Sequence, residues 1–241
     1  MRLLATHLRG STWLRAPIKA IVDMKELFPL KTYFVSGIDT DAGKTVATGF
    51  ISRKLREEGV DVITQKLIQT GNHGISEDIA MHRKIEDRAL LPEDIDGTTC
   101  CLIYSYPCSP HMAIAIDGRA PEYDKATANT HLLEQKYDKV LVEGAGGLMV
   151  PLTEDYLNID YIADQGLPCI LVGTAKLGSI NHILLSMEAL GHRGIPTPAL
   201  LYNRGVATDE RITAETERYL RGYLQRHYPE TSFIPLPILD L

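Results

Sequence analysis

The sequence predicts a single three-layer α/β/α domain built on a mostly parallel sheet. Three observations predict it. Apolar, β-rich runs alternate with helix-like segments, the order that builds β-α-β units. Those runs are nearly continuous rather than alternately apolar and polar, as strands are when helices cover both faces of their sheet. No internal repeat, low-complexity tract or linker divides the 241 residues, a length that suits one large domain with a substantial core.

Taken in order, Tyr33 to Ser36 is a β-rich run ended by Gly37. Helical character runs from Thr45 to Glu58, and Gly59 supplies a stop. Val60 to Thr64 reads as the second strand, ahead of a loop carrying Lys66, Thr70 and Gly71. Asp78 to Lys84 reads as helix. Cys100 to Tyr104 is apolar and is broken by Pro107 and Pro110. Ala126 to Tyr137 is a helix candidate. Lys139 to Glu143 is a short buried strand that runs into Gly144-Ala145-Gly146-Gly147. Pro168 to Gly173 is another strand, Asn181 to Gly191 a helix, Ala199 to Asn203 extended, and Asp209 to Arg226 a long final helix.

Hydrophobic residues make up 44% of the chain and charged residues 23%, ordinary for a soluble globular protein. A net charge of −6 argues against a nucleic-acid or anionic-membrane partner held by bulk charge. No apolar run approaches the ~18 residues of a spanning helix. We therefore expect a cytoplasmic protein with no nucleic-acid and no membrane partner. The four cysteines form no Cys-x-x-Cys pair and no zinc spacing, so they read as reduced, buried thiols. The first 22 residues hold Arg2, Arg9, Arg15 and Lys19 and no acid before Asp23, a composition that transit peptides share. An upstream start codon, with Met24 as an internal start, and a surface extension are the alternatives. Residues 1–30 are taken as a non-catalytic extension and 31–241 as the domain.

The stretch Gly37 to Thr45, GIDTDAGKT, lies between the first strand and its helix. Ligands of open parallel sheets bind there, beyond the carboxyl ends of the strands. Gly43 lets the backbone approach an oxyanion, and the amides at the helix start point toward it with the positive end of the dipole. Lys44 would reach β- and γ-phosphates, and Thr45 would offer its hydroxyl to Mg²⁺. Five residues rather than the usual four separate Gly37 from Gly43, so Gly37 ends the strand and the cradle runs from Ile38 to Thr45. Partition-type ATPases with such variant loops carry a lysine at the second cradle position. Asp39 stands there instead, against an ATP-driven switch.

Mg²⁺ takes octahedral oxygen ligands, commonly one or two carboxylates with water and phosphate oxygens. Glu143 ends an apolar strand before a glycine run that leaves room for a ligand. Asp78 is a second candidate from position alone, with Glu77 as competitor and helix capping as another use for either. Lys66 follows a strand near the loop and could hold charge developing on a transferred phosphoryl group. A solvated strand-end lysine is equally compatible with its position.

Together these motifs resemble the dethiobiotin synthetase family of P-loop enzymes. The resemblance covers roughly residues 31 to 241. It is carried by residues 33–47 (YFVSGIDTDAGKTVA), 65–71 (QKLIQTG), 109–111 (SPH), 139–152 (KVLVEGAGGLMVPL) and 171–182 (LVGTAKLGSINH), with Asn203 and the late Pro-Leu-Pro. It implies a P-loop NTPase-like fold and a defined reaction. The diamine 7,8-diaminononanoate takes up CO₂ as a carbamate, and ATP phosphorylates the carbamate to a mixed anhydride. The second amine then closes a cyclic urea, with release of ADP and phosphate. It further implies Lys66 and Lys44 as catalytic residues, and Thr45, Asp78 and Glu143 as Mg²⁺ ligands. The nucleotide would meet Asp41, Ala42, Gly43, Lys44, Thr45, Val46, Asp78, Glu143, Gly144, Ala145, Gly146, Asn203, Arg204 and Pro237. The diamine or its carbamate would meet Thr40, Lys66 and Thr70. Its carboxylate would meet Ser179, Ile180 and Asn181 from the second subunit of a homodimer.

Three features depart from the family pattern. Leu67-Ile68 follows the catalytic lysine where Pro-Val is common, so that loop loses a proline restraint. The chain ends at Leu241, soon after Pro237, and the N-terminal extension has no counterpart. The competing readings are an ATP-dependent amide ligase of the cobyrinate type and a partition-type switch ATPase. The first normally brings a glutaminase domain for which the length leaves no room.

Overall fold

The structure is a computed structural model, and it describes residues 23–207 and 209–239. The basic stretch of residues 1–22 lies outside the described residues. The elements in chain order are α1 (Met24–Leu27), β1 (Thr32–Gly37), α2 (Lys44–Glu57), β2 (Val62–Lys66), β3 (Gln69–Thr70), α3 (Glu77–Ile85) and α4 (Pro92–Ile95). There follow β4 (Ile103–Tyr104), α5 (Pro110–Asp117), α6 (Tyr123–Lys136), β5 (Lys139–Gly147), β6 (Pro151–Thr153), β7 (Tyr156–Leu157) and α7 (Asn158–Asp164). The last third of the chain supplies β8 (Cys169–Thr174), α8 (Ser179–His192), β9 (Ala199–Asn203), α9 (Glu210–His227) and β10 (Ser232–Leu236).

Six of the strands form one parallel sheet in the order β10-β9-β8-β1-β5-β2. The strand sequences explain why it is covered on both sides. Neighbouring residues of one strand point to opposite faces. Phe34, Ile63, Val140, Val142, Leu171 and Leu200 enter one core, beneath α6, α7, α8 and α9. Tyr33, Val35, Val62, Leu141, Ile170 and Leu201 enter the other, beneath α2 and α1. Each fully buried Leu, Ile or Phe contributes on the order of 1.5–3 kcal/mol relative to exposure, so both halves of each apolar run are needed. The predicted three-layer α/β/α architecture is the one observed.

Several details differ from the sequence reading. Pro110 does not break structure; it starts α5, because a proline at the first helical position lacks only an N–H that would have had no partner. Of the apolar run ahead of it, only Ile103 and Tyr104 are extended, paired with Gln69 and Thr70 outside the main sheet. Strand β10 is hidden in sequence by Pro235. It lies at the sheet edge, where a missing N–H is tolerated. Helix α1 packs on the domain through buried Met24 and Phe28, and Phe28 meets Tyr33 edge to face at 5.2 Å. No helix among the described residues is long and apolar enough to cross a membrane.

Candidate active site

Because the sheet is parallel, β1, β2, β5, β8, β9 and β10 all end at one edge. A cleft of about 590 Å³ opens there, lined among others by Thr40, Asp41, Lys44, Thr45, Lys66, Thr70, Asp78, Glu143, Ala145 and Gly146. The register of the central strands explains the shape of its floor. Val35 pairs with Glu143 and Gly37 with Gly147, so two steps along β1 match four along β5. The intervening glycines bow out of the ladder. A side chain on Gly144 would collide with the Phe34 ring at 2.6 Å.

The phosphate loop is a 3₁₀ turn, Thr40–Ala42, joined to α2 by Gly43. Asp39 caps the turn, its carboxylate accepting from Thr40 N–H at 2.7 Å. Gly43 is left-handed, with φ 90°, and a Cβ there would sit 2.3 Å from Asn203 Nδ2. Asn203, at the end of β9, buttresses the loop by donating to Ala42 O at 3.1 Å. Lys44 begins the helix, one residue earlier than the sequence reading, and its Nζ donates to Asp39 O and Thr40 O at 3.0 and 2.9 Å. Burial pulls this ammonium down to about 8, aided by repulsion from Lys66 and opposed by the Glu143, Asp78 and Asp39 carboxylates.

Lys66 and Glu143 are register partners across β2 and β5. Lys66 is buried at 4% exposure, so the solvated alternative does not describe it. Its Nζ lies 2.5 Å from Asp78 Oδ2 and 2.8 Å from Glu143 Oε1, and donates to Gly144 O at 3.0 Å. Burial alone would lower the ammonium, but the Glu143 and Asp78 carboxylates outweigh it and raise Lys66 above the ordinary lysine range. Burial likewise favours a neutral Glu143. The Lys66 charge and the His82 hydrogen bond outweigh that and hold the carboxyl well below the usual range. Thr45 Oγ1 is 3.1 Å from both Asp78 Oδ1 and Glu143 Oε1. Ser76, not an acid, caps α3, which leaves Asp78 free to turn inward while Glu77 faces solvent.

Three hard oxygens thus converge: one hydroxyl and one oxygen from each of two carboxylates. Among the described residues no group of three His, Cys, Asp or Glu gathers around a metal position. A sparse oxygen set of this kind suits Mg²⁺, which keeps waters and takes phosphate oxygens to complete its octahedron.

The remaining expected residues are distributed unevenly. Ala42 is buried behind the loop, Val46 is half-buried on α2, and Gly144 lends its carbonyl to Lys66. Arg204 follows Asn203 at the same sheet edge, exposed and paired with Glu217. Pro237 is exposed just past β10. Ser179, Ile180 and Asn181 open α8 and do not line this cleft. The sequence reading missed the layer beneath it. His82 Nε2 lies 2.7 Å from Glu143 Oε2, and His82 Nδ1 lies 3.0 Å from Thr64 Oγ1. Arg83 donates to that same Thr64 oxygen at 2.8 Å. One signal was available: Asp78 and His82 stand four apart, one above the other on a helix.

The AAA domain family (AAA_26) matches residues 31–229. Among curated proteins, the chain is 46% identical over 211 residues to the ATP-dependent dethiobiotin synthetase BioD 2 of Pasteurella multocida, covering 88% of this chain and 99% of that protein. It is 48% identical over 204 residues to the BioD 2 synthetase of Haemophilus ducreyi, covering 85% and 97%. It is 47% identical over 207 residues to the BioD synthetase of Chlorobaculum tepidum, covering 86% and 85%.

Proposed function

The chain belongs to the ATP-dependent dethiobiotin synthetases, and from that premise we propose how its residues divide the carboxylation and ring closure of 7,8-diaminononanoate. One amine of the diamine adds to CO₂ and loses a proton, giving a carbamate. A carbamate oxygen takes the γ-phosphoryl group of ATP, releasing ADP. The second amine attacks the carbamoyl carbon and loses a proton, phosphate leaves, and the cyclic urea dethiobiotin remains. The observation that carries the division of labour is the single cleft shared by Lys44, Thr45, Lys66, Asp78 and Glu143.

Lys44 and the amides after Gly43 hold the β- and γ-phosphates. The pull of the Asp78 and Glu143 carboxylates makes Lys66 a permanent cation at neutral pH. It therefore serves as an electrostatic clamp on the carbamate and the transferring phosphoryl group, not as a base. Thr45, Asp78 and Glu143 hold Mg²⁺, which neutralises phosphate charge when bound. Thr40 and Thr70 line the same cleft and receive the diamine end. Asn203, Arg204 and Pro237 lie at the β9–β10 end of the edge, where they would flank the adenine of the nucleotide. In a homodimer, Ser179, Ile180 and Asn181 of one protomer receive the substrate carboxylate of its partner at the start of α8. Exposed Leu177 and Leu185 on that side support it as the contact surface. The four cysteines are free, Cys100 and Cys169 buried but Cys101 and Cys108 only half-buried, and unpaired thiols support a reducing, cytoplasmic location.

The test incubates the protein with the diamine, bicarbonate, Mg²⁺ and ATP, and follows the cyclic urea by mass spectrometry. Stoichiometric urea and ADP are expected. ATP turnover with no urea overturns the reading.

A further inference from the structure

We propose that His82 is a positioning residue that sets the metal preference of the site by leaving Glu143 only one oxygen, Oε1, to face the cleft. The inference rests on the reading of Thr45, Asp78 and Glu143 as the Mg²⁺ ligands.

The two oxygens of Glu143 have different partners. Oε2 lies 2.7 Å from His82 Nε2, a contact sealed from water because both side chains are 0% exposed. Oε1 faces the cleft, 3.1 Å from Thr45 Oγ1 and 2.8 Å from Lys66 Nζ. The hydrogen-bond order beneath accounts for this. Arg83 can only donate, and its Nη1 reaches Thr64 Oγ1 at 2.8 Å. Glu143 Oε2, a carboxylate oxygen, can only accept, so His82 Nε2 is the donor there, and the other nitrogen of the neutral ring, Nδ1, accepts from the Thr64 hydroxyl 3.0 Å away. Arg83 is itself held by Asp94, with Nε and Nη2 donating to the two carboxylate oxygens at 2.9 Å each. The chain Asp94–Arg83–Thr64–His82 thus ends on one oxygen of the ligand carboxylate.

A carboxylate held this way offers a cation one oxygen. That suits Mg²⁺, which demands near-ideal octahedral geometry. Ca²⁺ accepts bidentate carboxylates and six to eight ligands. With His82 removed, Oε2 becomes available and the carboxylate can chelate. The device therefore favours the smaller ion, and its loss is expected to change a ratio, not only a rate.

The experiment measures Mn²⁺ binding by electron paramagnetic resonance in the presence of a non-hydrolysable ATP analogue, then its displacement by Mg²⁺ and by Ca²⁺. His82→Leu keeps the volume but not the donor. It is expected to lower the Mg²⁺-to-Ca²⁺ affinity ratio by about tenfold, the low end of losses seen when a partner behind a metal ligand is removed. His82→Gln, which retains an amide donor, is expected to restore most of the ratio. An unchanged ratio in folded His82→Leu overturns the proposal, as does an equal fall in both affinities. If His82→Leu does not fold, Thr64→Val decides, because it releases Nδ1; its ratio must also fall. Glu143→Gln tests the underlying reading separately. If that variant binds Mn²⁺ as the parent does, the ligand assignment fails whatever His82 shows.

Discussion

Replacing Arg83 by methionine perturbs a buried ion network that does not itself line the cleft but reaches Glu143 through Thr64 and His82. The side chain is 1% exposed and lies between Asp94 and Glu86, both buried. Removing one member of a buried ionic pair typically costs about 3–5 kcal/mol, because the other charge is left without compensation. The local geometry places the cost at the low end. Asp94 keeps the Leu91 N–H at 2.8 Å and the Thr99 hydroxyl at 2.9 Å. Glu86 keeps the Ser52 hydroxyl at 2.5 Å. We expect a loss of about 3 kcal/mol, read as a lower urea midpoint at unchanged slope. Arg83→Lys preserves the charge but not the fork that spans both Asp94 oxygens, and should fall between. In a double-mutant cycle with Asp94→Asn the losses should be less than additive, by roughly 0.5–3 kcal/mol. A loss for Arg83→Met below about 1 kcal/mol, the range of an exposed pair, or full additivity in the cycle, would refute the reasoning.

Three further outcomes are expected. Gly43→Ala forces a side chain into φ 90° and against Asn203. The backbone alone costs roughly 1–2 kcal/mol, and nucleotide binding measured by calorimetry should be lost with it. Lys66→Gln should abolish urea formation while nucleotide binding survives; parallel loss of both would make Lys66 a nucleotide residue instead. Burial raises the Cys169 thiol from 9.0 to about 12. The folded chain therefore keeps a proton that the unfolded chain releases, and this contribution to stability is full below pH 9 and lost between 9 and 12. By pH 10.5 roughly 2 kcal/mol should be gone, and Cys169→Ala should show a shallower alkaline decline in unfolding experiments; an identical decline would remove Cys169 as the cause.

The phosphate loop was legible in sequence because phosphate binding constrains a contiguous string: a strand, a left-handed glycine, a lysine and a hydroxyl at a helix start. Glu143 was read at the end of its strand, whereas Lys66, read in the loop after Thr64, is the last residue of β2. Both lie near the carboxyl ends of strands, where a parallel sheet collects its ligands. Elements whose polar or proline residues mask their burial were harder to see. Strand β10 contains a proline it can accommodate only at an edge. Helix α5 begins with a proline that from sequence resembles a break. In α3, His82 and Arg83 sit in a run rich in charge, and read locally they look like a solvated face. Both are buried by partners far away in the chain: Glu143, 61 residues on, and Thr64, 18 and 19 residues back.

The hidden layer is nevertheless the product of two simple periodicities meeting. Residues two apart on a strand share a face, and residues four apart on a helix share a stripe. Thr64 lies two before Lys66 on β2, and His82 lies four after Asp78 on α3. When α3 docks on that face, the pairs match level by level. Lys66 meets Asp78 at 2.5 Å at the cleft, and Thr64 meets His82 at 3.0 Å beneath it. Gln65, of opposite parity, leaves this face and donates to Ala126 O on α6 at 2.9 Å. Glu143 enters from β5 between the two levels, giving Oε1 to the upper and Oε2 to the lower. A shift of β2 by one residue against β5 would put Gln65 or Leu67 where Lys66 stands and break both levels together. The strand register that buries the apolar core on either side of the sheet is therefore also what sets the charge, the carboxylate oxygens and their orientation at its edge.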